Sequence, residues 1–472
     1  MLANDMNYDL VIIGAGIAGM VTAVRASELG LRVLVLEKSS EDKYMCNTRL
    51  SSGVFHCALL SPRSPPSDLE KKILGDTQSF AEPLQAQTIS TQALGSIRWL
   101  QKLGVRFIKG AQTYYEFILS PPTLFHQNEG WQNKGGDLLL MRLEKKLLEL
   151  KGQLLRGHKA LELSYTQDGL LQISVEPFGE GPEDITAHNV VIADGGFQSN
   201  PRYLEKAVSS RPEKVFQRNA RASMGDGLRM ALELGADVNT YESFYGHLLS
   251  RDAFHNEHLW PNPWLDAIAS AGLLVNANGV RFANEGLGGI HLANQVAKLE
   301  DPLSAYAVCD ERTWSERGHL NMQGPNPKLI EVGATFFKGN SLAELAQNAG
   351  IDPQALITTV NQYNQALDTR TLGELKPSRT QDKSPAYPIT QMPFYIFPVC
   401  AGITYTMGGI RINEHAQVLN QDHLPLKGLF AVGACTGGLE GGEKTGYVGG
   451  LIKSTVMGLQ AAQFMAQTGY AT

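Results

Sequence analysis

Tyr8-Asp9-Leu10-Val11-Ile12-Ile13-Gly14-Ala15-Gly16-Ile17-Ala18-Gly19 decides how this 472-residue chain is read. The β-branched apolar run Tyr8 to Ile13 predicts a strand. Gly14 to Gly19 predicts a tight turn, and the apolar-periodic residues up to Leu29, closed by Gly30, predict a helix. A second strand, Leu31 to Leu36, ends in Glu37, 23 positions after the first glycine. This is the strand-turn-helix-strand spacing that holds a dinucleotide. Gly14 permits the turn, Gly16 lets backbone N–H groups approach a pyrophosphate, and Gly19 lets the helix pack closely on the strand. Glu37 is placed to accept hydrogen bonds from ribose hydroxyls. Its charge opposes a 2′-phosphate, so FAD or NAD is expected in preference to NADP.

Working outward, the chain is two to three times the length of an ordinary domain and carries 48 glycines, where usage of ~7% would give about 33. Lys and Arg number 41 against 47 Asp and Glu, a net charge of −6, which argues against a nucleic-acid partner. The five cysteines, Cys46, Cys57, Cys309, Cys400 and Cys435, form no CxxC pair. That speaks against a disulfide framework, a zinc site, an iron–sulfur site or an attached haem, and for a reducing cytoplasm. The apolar stretch Leu10 to Met20 is preceded by Asp5 and Asp9 with no Lys or Arg, unlike a signal peptide. No apolar run reaches the roughly 18 residues of a membrane span.

Further elements follow. A helix is expected over Asp137 to Leu150, strands near Ala160 to Tyr165 and Leu170 to Val175, and a short buried strand Val190 to Ala193 that stops at Asp194-Gly195-Gly196-Phe197. Gly225-Asp226-Gly227 starts a helix to Leu234. From about Tyr241 to Tyr387 the texture changes to scattered aromatics, prolines and isolated helices such as Ser341 to Ala349 and Pro353 to Leu367. After Pro393 the glycine-and-strand pattern returns, with strands Thr404 to Asn413 and Leu429 to Gly433, a glycine-dense loop, and a helix Leu451 to Gln467. Arg63 to Ser67 and Arg370 to Ser384 look like loops.

The order of the first strand-turn-helix unit, Val191 to Phe197, Gly225-Asp226-Gly227, Gly272 to Glu285, Thr406-Met407-Gly408-Gly409 and Gly428 to Gly450 resembles the flavoprotein superfamily of fumarate reductases, succinate dehydrogenases, L-aspartate oxidases and 3-ketosteroid dehydrogenases. The resemblance covers nearly the whole chain. It implies an α/β fold in which a Rossmann-like FAD-binding domain of the glutathione reductase type, residues 1–240 and 388–472, is interrupted by an α+β capping domain, residues 241–387. It implies non-covalent FAD held by Gly14, Ala15, Gly16, Gly19, Glu37 and Lys38. Asn47, Thr48, Ser52 and Gly53 would reach the pyrophosphate and ring, Ala160 the adenine, and Asp194, Gly195, Asp226, Gly433, Gly450, Leu451 and Ile452 the remainder. Asn47 stands where succinate dehydrogenases carry a flavin-linking histidine, so no covalent link is expected. The family often has Thr at the position of Asp194 and Glu at that of Ala434. The helix starting near Leu451 should aim its N-terminus at the flavin N1–C2=O edge.

The chemistry departs from the dicarboxylate pattern. Fumarate-reductase relatives place an arginine proton donor shortly after Phe-x-Asn-Glu, whereas Phe282-Ala283-Asn284-Glu285 is followed here by Gly286-Leu287-Gly288-Gly289. Tyr405 stands where a histidine commonly precedes Thr-Met-Gly-Gly, and Glu440-Gly441-Gly442-Glu443-Lys444 replaces the stretch with the second clamp arginine. Tyr405 and Tyr447 instead resemble the tyrosines of ketosteroid dehydrogenase relatives. This implies that Tyr447 and the N–H of Gly450 or Leu451 polarise a carbonyl, Tyr405 moves the adjacent proton, and flavin N5 exchanges hydride with the β-carbon. His247, Gly408 and Lys444 complete the expected substrate contacts, with no metal. His291, Arg312 and Tyr114-Tyr115 read as packing or surface residues, Arg281 as half of an ion pair, and Cys435 as a small buried hydrophobe.

The expected activity is that of an FAD-dependent dehydrogenase or ene-reductase acting on a carbon–carbon bond beside a carbonyl. No second dinucleotide fingerprint is present, so electrons would pass to or from a separate quinone, carrier, reduced flavin or oxygen. Rivals are a dicarboxylate reductase using Lys444, a non-catalytic FAD-binding protein, and a Rossmann protein using NAD.

Overall fold

The computed structural model describes residues 8–123, 130–239, 241–319 and 323–468. The leader containing Asp5 lies outside the described residues. Continuous apolar runs that can be buried on both faces make the core of a parallel sheet. Tyr8–Ile13 runs parallel to Val33–Glu37 on one side and to Glu183–Ile192 on the other. Gln153–Arg156 extends the sheet beyond Val33–Glu37, and Pro425–Ala431 extends it beyond Glu183–Ile192. His158–Tyr165 and Leu171–Pro177 form an antiparallel meander on its flank.

Register then decides where a ligand can bind. Ile13 lies opposite both Leu36 and Ile192, so the segments beginning at Gly14, Glu37 and Ala193 leave the sheet along one edge. Ile192 in turn lies opposite Ala431, which brings Gly433 to the same edge. The chain diverges to opposite sides of Tyr8–Ile13, and the crevice beyond these strand ends is where open α/β sheets bind ligands. Two helices approach it from the same layer: Ile17–Glu28 and Gly450–Thr468.

A second, six-stranded sheet is organised by Phe394–Thr406, a 13-residue strand paired antiparallel with Phe244–Ser250, Ala305–Asp310 and Phe337–Gly339 and parallel with Phe216–Gln217. The strand begins ten residues before the Thr404 to Asn413 segment expected from sequence, which instead ends as the two-residue strand Gly409–Ile410. Nearly all of it is buried, so it shows no alternation of apolar and polar residues that would mark a strand. The ladder places Tyr245 opposite Tyr405, with a register shift between Tyr245 and Gly246. One irregular pairing thus points two phenols toward the same region.

The segment Asn47 to Gly53 is held by a buried ion pair. Arg49, 1% exposed, donates from Nε to Asp137 at 2.9 Å, and the fully buried Asp137 also receives Lys43 at 3.0 Å and the Asn133 N–H at 2.8 Å. Burial pushes the Asp137 carboxyl up, but these donors hold it below the ordinary carboxylate value. The approach depends on Gly136, where a Cβ would sit 2.1 Å from the Thr48 carbonyl oxygen. Asp137→Ala leaves the Arg49 guanidinium buried without its partner and should destabilise the protein by about 3–5 kcal/mol in equilibrium denaturation. Little change there would mean that the pair does not anchor the segment.

Candidate active site

One elongated cavity runs along the crevice. At one end its wall includes Gly14, Gly16, Glu37, Lys38, His158, Lys159 and Ala160; its middle includes Asn47, Thr48, Ser52, Asp194, Gly195 and Asp226. At the other end stand Arg218, Tyr245, Trp260, Trp264, Tyr405, Tyr447, Gly450 and Leu451. The geometry suits an extended dinucleotide. A Cβ at Gly19 would lie 2.0 Å from the Gly14 carbonyl oxygen, so only glycine lets the helix start this close to the turn. Thr48 accepts the Ile17 N–H at 3.0 Å, and Glu37 accepts the N–H groups of Ser39 and Ala15 at 2.9 and 3.3 Å. Burial raises the Glu37 pKa, and a ribose diol donating to it would replace the lost water.

Asp194 supplies a direct test of fit. Its Oδ2 accepts the Gly227 N–H at 2.8 Å, while Oδ1 is buried with no hydrogen-bond partner. A hydroxyl donated by the cofactor would satisfy that oxygen, so Asp194 fits FAD. Asn47 bridges two elements, donating to the Thr404 carbonyl and accepting the Ala220 N–H, each at 2.9 Å. Lys38 faces Asp226 at 3.7 Å.

Other sequence-derived residues stand outside the cavity wall. Ala15, Gly19 and Ile452 are buried behind it. Gly53 accepts the Leu119 N–H, and Gly433 is packed so closely that a Cβ would lie 2.8 Å from that of Ala18. Gly408 is buried away from the cavity. Lys444 pairs with Asp382 at 2.9 Å, also away from it. His247 lies one layer back. Arg281 pairs with Glu285, Arg312 with Glu316, and Cys435 is a buried thiol whose pKa burial raises.

At the aromatic end, three tyrosines converge. Tyr245 stacks on Tyr447 with ring centroids 4.0 Å apart, and Tyr405 lies 5.3 Å from Tyr245. Burial, then the Glu440 charge, pushes the Tyr405 phenol well above its ordinary value; burial and Tyr245 do the same to Tyr447, against a lowering hydrogen bond from the Gly450 N–H. Burial raises the Tyr245 phenol likewise. A phenolate base needs the opposite shift, so all three are protonated at neutral pH, and Tyr245 can take up a proton only by giving its own to a neighbour. The Tyr405 hydroxyl is directed to fully buried Glu440, at 3.0 and 3.1 Å from its two oxygens. Glu440 also accepts the Val448 and Gly449 N–H groups at 3.0 Å and faces Lys453 at 3.6 Å.

Of the residues behind Tyr245, the sequence singles out His247 alone. Asp266 holds His247 Nδ1 at 2.7 Å, and His247 Nε2 lies 3.1 Å from the Tyr245 hydroxyl. Burial lowers the His247 pKa, so the ring is neutral at neutral pH. A carboxylate only accepts, so Nδ1 carries the proton and Nε2 accepts from Tyr245. Trp264 covers the imidazole at 3.6 Å in parallel planes. The Tyr245-Gly246-His247 tripeptide is visible in the sequence, but Asp266, Arg218, Trp260 and Trp264 come from separate segments with no motif to join them. Among the described residues no cluster of side chains could hold a metal ion.

Two outcomes follow for the cofactor end. Glu37→Ala should weaken FAD retention by about tenfold or more, read as flavin released on gel filtration. Burial raises the Asp194 pKa to about 6, so its contribution to apoprotein stability is present below about pH 4 and lost as pH rises through about 6. The apoprotein should lose on the order of 2–3 kcal/mol from this group across that window, and Asp194→Asn should flatten it in urea titrations.

Comparison with known proteins agrees with this geometry. The FAD binding domain family matches residues 9–446. The fumarate reductase (cytochrome) of Shewanella frigidimarina is 24% identical over 458 residues, covering 93% of this chain and 73% of that one. The vinyl phenol reductase of Lactiplantibacillus plantarum is 23% identical, covering 93% and 92%. The solved 3-ketosteroid Δ1-dehydrogenase of Sterolibacterium denitrificans, in complex with 1,4-androstadiene-3,17-dione, superposes with a TM-score of 0.74 at 18% identity, covering 98% and 100%. No helix among the described residues is long and apolar enough to cross a membrane. With the family spanning both walls of the cavity and the cavity shaped for its dinucleotide, the chain belongs to the FAD binding domain family and is an FAD-dependent oxidoreductase of the fumarate reductase-like flavoprotein superfamily.

Proposed function

We propose that the enzyme interconverts a carbon–carbon single and double bond beside a carbonyl, as an ene-reductase or dehydrogenase. One observation carries this reading: three tyrosines and the N-terminus of the helix Gly450–Thr468 meet at the aromatic end of the FAD cavity. Bound FAD would supply the hydride exchange through N5 of its ring system. Protonated Tyr447 donates to the carbonyl oxygen as it becomes enolate-like, with the Gly450 and Leu451 backbone beside it. Glu440 holds Tyr405 as a fixed wall and donor, which leaves Tyr245 as the group placed to move the proton.

In the oxidative direction, the α-carbon gives its proton to the Tyr245 oxygen while the Tyr245 hydroxyl proton passes to His247 Nε2. The resulting imidazolium faces Asp266. The reductive direction reverses both transfers. Segment 241–387 acts in this reading as the cap over the substrate. The electron partner is a separate quinone, carrier, reduced flavin or oxygen. The free cysteines support a reducing, cytoplasmic setting. A fumarate-type clamp built on Lys444 is disfavoured, because its ammonium is engaged by Asp382 outside the cavity.

Anaerobically reduced holoenzyme should be reoxidised by members of a panel of enones and aryl-substituted enoates faster than by fumarate, followed by the return of visible flavin absorbance. Fumarate as the fastest acceptor, or no acceptor at all, would contradict the proposal. Tyr447→Phe should slow reoxidation by about 10²–10³-fold at unchanged flavin content. His247→Gln should slow it less and displace the pH optimum. A variant with parental rate and pH profile would remove His247 from the proton path.

A further inference from the structure

The aromatic end of the cavity contains a cation that has no counter-ion among the described residues. Arg218 is fixed from several sides: its backbone N–H donates to the Ile403 carbonyl at 2.9 Å, Nε to the Pro261 carbonyl at 2.8 Å, and a terminal nitrogen to the Thr404 hydroxyl at 2.6 Å. Its guanidinium lies over Trp264, 5.2 Å from the ring centroid. Among the described residues no carboxylate lies within ion-pair distance of it. Asp266 acts on it electrostatically, but the two Asp266 oxygens are taken by His247 Nδ1 and the Leu248 N–H. The acidic residues in the cavity wall, Glu37, Asp194 and Asp226, belong to the nucleotide portion. Burial lowers the Arg218 pKa, and the half-buried side chain stands in the cavity wall.

A half-buried guanidinium in a cavity wall with no carboxylate beside it offers a place for an anion, and its planar fork suits a carboxylate. Around it stand Trp260, Trp264, Tyr245 and Tyr447, flat walls that favour a planar, aromatic body. We infer that the substrate carries a carboxylate that Arg218 recognises, on an aryl-bearing chain held between these rings: an arylacrylate or its saturated counterpart. This rests on the proposed function and narrows it. The carbonyl beside the reacting bond is then that of the carboxylate itself, and one cation takes the place of the two-ended clamp a small dicarboxylate requires.

Isothermal titration of oxidised holoenzyme with trans-3-phenylacrylate and with its neutral isostere trans-3-phenylacrylamide tests the assignment without turnover. The acid should bind at least about tenfold more tightly than the amide. Arg218→Gln should abolish that preference with flavin content retained, and Arg218→Lys should keep part of it. The amide binding as tightly as the acid, the preference surviving in Arg218→Gln, or no binding of either at millimolar concentration would overturn the inference. The reoxidation panel fails or succeeds separately. Acid-selective binding with no acceptor activity would defeat the proposed reaction and leave the anion site standing, whereas turnover of neutral enones alone would do the opposite.

Discussion

The carboxylate of Glu440 is the constraint on which the reactive end of this protein depends. It is fully buried and receives a phenol, two backbone N–H groups and a facing ammonium, contributed by the second sheet, the glycine-rich loop and the last helix. A buried charge with fewer partners would be costly; with these it is satisfied, and satisfying it fixes geometry. Tyr405 can meet Glu440 only if the strand Phe394–Thr406 keeps its register, and the Val448 and Gly449 N–H groups can meet it only if the loop turns back at the base of the helix Gly450–Thr468. Tyr447 is thereby placed beside both.

The loop tolerates this path because of its glycines. At Gly441 and Gly449 φ is +123° and +137°, values that side-chain-bearing residues rarely adopt, and a Cβ at Gly449 would lie 2.6 Å from the His56 carbonyl oxygen. Part of the excess of glycine in the composition therefore has two structural sources: the phosphate turn at Gly14 to Gly19, and this loop, which threads backbone between the cofactor cavity and its neighbours. The first sheet serves the turn and the second sheet the loop, and the cavity runs from one to the other.

Much of the nucleotide half was legible because its determinants are local. Strand, glycine turn, helix and acidic strand end fall within about 30 consecutive residues and follow from backbone sterics and helix-terminus electrostatics. The observed Tyr8–Ile13, Ile17–Glu28 and Val33–Glu37 agree with that reading to within a few residues. The 20-residue helix Pro83–Lys102 carried no motif and was passed over. The reactive end was only partly legible. Tyr405 and Tyr447 stood out beside glycine motifs, but their proton affinities depend on burial and on Glu440, 35 residues from one and seven from the other, which spacing does not reveal. Arg218, Trp264 and Asp266 meet only through the second sheet and the turns that flank it. Lys444, which sequence placed near a substrate, found Asp382 instead, a pairing between distant loops.

Glu440 acts through position, not through cofactor binding. The most direct measurement is the reoxidation rate of reduced Glu440→Gln holoenzyme by its best enone or enoate acceptor, taken together with its FAD affinity. The rate should fall by about 100-fold or more, as for loss of one transition-state donor, with FAD affinity changed by less than about threefold. A parental rate at normal flavin content would contradict that role, because the tyrosines would then be in place without the carboxylate said to hold them.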